Sequence, residues 1–122
     1  MRRDQEDTDM QYIMIIAEDE TASLRPGQPG FDEMMADYGA FTEMVLKLGV
    51  MKSGSQLGPV ATATTVRIRD GETITTDGPF AETKEQFAGF YILDCKDLDQ
   101  ALELAARIPG AKHGSIEVRP LV

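Results

Sequence analysis

Two segments of this chain, Tyr12–Ala17 and Phe87–Leu93, are apolar throughout a strand-length run. A strand with one wet face alternates polar and apolar residues, so a continuous apolar run reads as a strand sheltered on both sides. With 122 residues the chain is one domain, and these two ribbons are the centre of its sheet. Whatever else folds has to cover four apolar strand faces.

The cover comes from two amphipathic helices. After the breaker cluster Pro26-Gly27-Gln28-Pro29-Gly30, the residues Phe31, Met34, Met35, Tyr38, Phe41, Val45 and Leu48 recur three or four apart. Asp32, Glu33, Asp37, Glu43 and Lys47 fall on the opposite side, and Gly49 is the stop. The Met and aromatic stripe is read as core rather than as the wall of a pocket. A second helix begins at Asp97, an N-cap with Gln100 three residues on, buries Leu98, Ala101, Leu102, Ala105 and Ile108, and ends at Pro109-Gly110.

The remaining strands alternate. Thr64–Arg69 places Val66 and Ile68 on one side and Thr65, Arg67 and Arg69 on the other. Asp70-Gly71 is a two-residue hairpin turn of the I′ type returning through Thr73–Thr75. Ser115–Arg119 is the last strand, with Ile116 and Val118 inward, and Ser53–Pro59 reads as a connector. The order strand, helix, strand with hairpin, strand, helix, strand predicts an α+β sandwich, with both helices on one face of a mainly antiparallel sheet. Two helices cover one face only. The other is expected to be covered by a second copy, face to face, in a homodimer. If Val66, Ile68, Ile116 and Val118 meet the helices, then Thr65, Arg67, Glu117 and Arg119 line the partner side, as ion pairs or as a cleft holding a ligand.

Residues 1–10, MRRDQEDTDM, read as a frayed tail before a domain spanning 11–122. The single cysteine, Cys95, excludes an internal disulfide and points to a reducing, cytoplasmic setting, where it acts as a small buried hydrophobe. A net charge of −9 argues against nucleic acid as partner, and no apolar stretch is long enough to span a membrane. One His and one Cys without paired spacing argue against a metal or other cofactor.

The run Asp77-Gly78-Pro79-Phe80-Ala81-Glu82-Thr83-Lys84-Glu85 joins a tight-turn signal to a cluster of ionisable groups. It is either a rigid structural corner or a loop holding Asp77 at a cleft. With Gly89-Phe90-Tyr91 and Glu117-Val118-Arg119-Pro120, this run resembles the DGPF-domain branch of the YCII-related proteins. The resemblance covers roughly Tyr12 to Leu121 and implies a ferredoxin-like βαββαβ domain that forms a dimeric α+β barrel. It also implies that Asp77 matches the Asp which that family places in a cleft opposite a His. No His stands in the first helix here, and His113, the one histidine, lies in the loop before the last strand. Genes of the DGPF branch often lie beside sigma factors of the extracytoplasmic-function class, which implies a regulatory setting.

Three functions fit these residues. The first is a dimer binding a small molecule at its interface, with Asp77 as the key polar group. The second is an isomerase or lyase in which Asp77 is the general acid or base, Arg67 or Arg119 holds an anionic substrate group, and Tyr38, Glu82 and Lys84 assist. The third is an accessory protein of a sigma factor.

Overall fold

In the computed structural model, which describes residues 9–122, β1 (Met10–Glu18) lies between β5 (Gln86–Cys95) and β6 (Ser115–Pro120), antiparallel to both. The far edge is β2 (Met51–Gln56), antiparallel to β5, so the sheet runs β2-β5-β1-β6. With α1 (Phe31–Lys47) and α2 (Leu98–Ala105), this is the ferredoxin-like α+β arrangement. The expected tail falls largely outside the described residues, and Met10 is already paired with Cys95.

The two continuous apolar runs are the two central strands. Tyr12, Met14 and Ile16 of β1 and Tyr91, Leu93 and Cys95 of β5 point to one face. There they join Phe41 and Val45 of α1 and Ala101, Leu104 and Ala105 of α2 in one buried cluster. Met14, Val45, Leu93 and Cys95 have no exposed surface. Ile13, Ile15, Phe90 and Ile92 point the other way and are partly exposed, because both helices lie across the sheet from them.

The caps follow the sequence. The Asp97 carboxylate accepts the Gln100 N–H at 2.8 Å, and the Gln100 side chain accepts the Lys96 N–H at 2.8 Å. Gly49, just past the end of α1, has φ of 76°, the left-handed conformation of a helix stop.

Three expectations are corrected. Ser53–Pro59 is not simply a connector, since Met51–Gln56 is the edge strand β2. Gly54 lies so close to Tyr91 that a Cβ there would meet its ring at 3.0 Å. Second, β3 (Thr64–Arg69) and β4 (Glu72–Asp77) form a separate two-stranded ribbon, turning at Asp70 and Gly71, which both have positive φ. Val66 and Ile68 therefore do not meet the helices and are 62% and 65% exposed. Third, α2 buries Leu104 and leaves Leu98 and Leu102 half-exposed.

Candidate functional site

The amino-terminal half of α1 stands away from the sheet. Phe41 and Val45 are buried against it, whereas Met34 and Tyr38 are only partly buried and Met35 is largely exposed. The gap is a cavity of about 280 Å³ between α1 and the ends of β1, β2 and β5. Met34, Met35 and Met51 give it polarizable apolar walls, and Tyr38 and Tyr91 give it aromatic ones. Met34, Met35 and Tyr38 of the stripe read as core are thus cavity wall.

The polar groups of the cavity are few and fixed. Thr42 of α1 and Tyr91 of β5 share a hydroxyl–hydroxyl hydrogen bond of 2.9 Å. The Tyr91 ring is held edge-on to Phe41, with centroids 5.0 Å apart. Tyr38 packs against Gly110, where a Cβ would stand 2.6 Å from the phenolic oxygen. Burial, with the nearby charge of Glu18 second, pushes the Tyr38 phenol up to about 12, so at neutral pH it is an uncharged hydrogen-bonding group. Glu18, at the end of β1, lies on the wall, and its Oε1 accepts the Ser23 hydroxyl at 2.9 Å.

Of the residues singled out in the sequence, Tyr38 is on this wall. Asp77 ends β4 and is exposed, on the ribbon face that also carries Val66 and Ile68. Arg67 is on the opposite ribbon face and donates to the Phe80 carbonyl at 3.4 Å. Glu82 and Lys84 are exposed in the following loop, and His113 is exposed after the Pro109–Lys112 turn. Arg119 of β6 pairs with Glu117, the ion pair expected for that sheet face. Apart from Tyr38, the structure brings none of these residues to the cavity.

The Asp77–Glu85 loop is internally tied. Gly78, at φ 99°, donates its N–H to Ala63 at 2.8 Å, and Thr65 donates its hydroxyl to the Gly78 carbonyl at 2.8 Å. The Gln86 amide donates to the carbonyls of Thr83 at 2.9 Å and Ala81 at 3.2 Å. These bonds give the run a structural role as the corner linking the ribbon to β5. Among the described residues, no three His, Cys, Asp or Glu side chains gather as metal ligands, and no helix is long and apolar enough to cross a membrane.

Sequence reasoning missed Glu18, Thr42 and the β2 wall. The signal for Glu18 was its place at the end of an apolar strand, which reads equally well as a boundary.

The family model for the YCII-related domain matches residues 10–122. An uncharacterized protein of Rhizobium meliloti (strain 1021) is 40% identical over 114 residues, 92% of each chain.

Proposed function

The chain belongs to the YCII-related domain family, and from that premise we propose that it binds a small molecule in the cavity between α1 and the sheet. The observation carrying this reading is the cavity itself, about 280 Å³ with mostly apolar walls and a few oriented polar groups, Tyr38, Glu18 and the Thr42–Tyr91 pair. A volume of this size suits one fused ring system with a short chain. The neutral phenol of Tyr38 offers a hydrogen bond at pH 7 and does not act as a base there. Asp77 lies on the exposed ribbon, so isomerase or lyase chemistry resting on it has its polar group on a different surface from the cavity.

A second copy is the proposed cover of the outer sheet face, where Ile13, Ile15, Phe90 and Ile92 are left without a helix. On the separate ribbon Val66 and Ile68 are uncovered as well, with Asp77 on the same ribbon face. The Asp77–Glu85 run supports reading the protein as one of the DGPF branch.

Titration with the neutral fluorophore prodan tests the binding. The expected result is a saturable blue shift at one probe per chain, weakened at least tenfold in Met35→Trp, which fills the mouth of the cavity, with little change in melting temperature. An unshifted spectrum, or full binding in Met35→Trp, overturns the proposal.

A further inference from the structure

The charges on the cavity wall select one class of ligand. Among the described residues the wall carries no Lys, Arg or His, and Glu18 is its one carboxylate. Glu18 opens a run of three acids whose other two are engaged elsewhere. Asp19 caps the following turn through the Thr21 N–H at 3.0 Å, and Glu20 accepts the Val60 N–H at 2.8 Å. Ser23 steadies one oxygen of Glu18, leaving the carboxylate further acceptor capacity. The aromatic rings of Tyr38 and Tyr91 attract a cation through their quadrupoles and give nothing to an anion. The hydroxyls of Tyr38, Thr42 and Tyr91 retain lone pairs for N–H donors.

Resting on the binding reading above, we infer that the ligand is an amine: an aromatic or similarly sized apolar body bearing an alkylammonium group that pairs with Glu18. An anionic ligand in the same place brings a second negative charge beside Glu18 with no cation on the wall to offset it. The anionic substrate expected of Arg67 and Arg119 has no counterpart in this cavity.

Three compounds of one shape and different charge test this by displacing prodan: tryptamine (cation), 3-ethylindole (neutral) and indole-3-propionate (anion). The inference expects tryptamine to compete at least tenfold better than indole-3-propionate at low salt, with the margin shrinking as salt is added. In Glu18→Gln, whose carbonyl oxygen still accepts the Ser23 hydroxyl, the margin falls below threefold. Equal or stronger competition by indole-3-propionate, an undiminished margin in Glu18→Gln, or failure of all three to displace bound prodan overturns the amine assignment while leaving the cavity as a binding site. Absence of prodan binding overturns both.

Discussion

Tyr38 and Gly110 are fitted to each other, since a methyl group on Gly110 would stand 2.6 Å from the Tyr38 hydroxyl and 3.1 Å from Ile16 Cγ2. Gly110→Ala therefore has to push Tyr38 toward the cavity or strain the turn. The expected cost is about 1–3 kcal/mol of stability, as for other overpacked sites, together with weaker prodan binding. Tyr38→Phe removes the atom that clashes, so Gly110→Ala combined with Tyr38→Phe should lose less than the sum of the two single changes. Chemical denaturation of the four proteins in a double-mutant cycle measures this.

Alkaline stability reports the same phenol. Burial pushes Tyr38 from 10 up to about 12 and Cys95 from 9 up to about 11. Both groups are neutral when protonated, and the folded state holds the proton more tightly than the unfolded chain. Stability from this source is complete below pH 9 and is lost as pH rises from about 9 to about 12. Denaturation midpoints across this range should fall for the wild type and fall less steeply for Tyr38→Phe.

The second helix separates a local pattern from its tertiary outcome. Leu104 is 4% exposed and Leu102 is 48% exposed. Leu104→Ala should cost about 2–5 kcal/mol, as a large-to-small change in a core, and Leu102→Ala less than about 1 kcal/mol. Urea unfolding curves decide, and the reverse ranking restores the face expected from the sequence.

Self-association has its own test. Sedimentation at micromolar concentration should give twice the chain mass, and Ile13→Asp or Phe90→Asp should give the chain mass with the fold retained. A wild-type protein sedimenting at the chain mass contradicts the docking of two sheets.

The parts of this fold legible in the sequence were those where local chemistry and tertiary packing agree. The unbroken apolar runs at Tyr12–Ala17 and Phe87–Leu93 gave the central strands, and Asp97, Gly49 and Asp70-Gly71 marked a cap, a stop and a turn. Strand β2 was hidden because Lys52, Ser53, Gly54, Ser55 and Gln56 have no apolar alternation. Its extended form comes from pairing with β5, and Gly54 is there to admit Tyr91. Val66 and Ile68 misled in the other direction, alternating like a buried strand on a ribbon outside the core. The cavity was invisible because periodicity gives the direction in which Met34, Met35 and Tyr38 point and not the distance to what faces them.

The binding of a small molecule between α1 and the sheet is tested most directly by NMR of the full chain carrying 13C-methyl methionine, titrated with prodan. The methyl signals of Met34, Met35 and Met51, on three parts of one wall, should shift together along one saturation curve, while Met10 and Met44, outside that wall, stay in place. Saturable binding that leaves the three wall methionines unmoved would contradict the account.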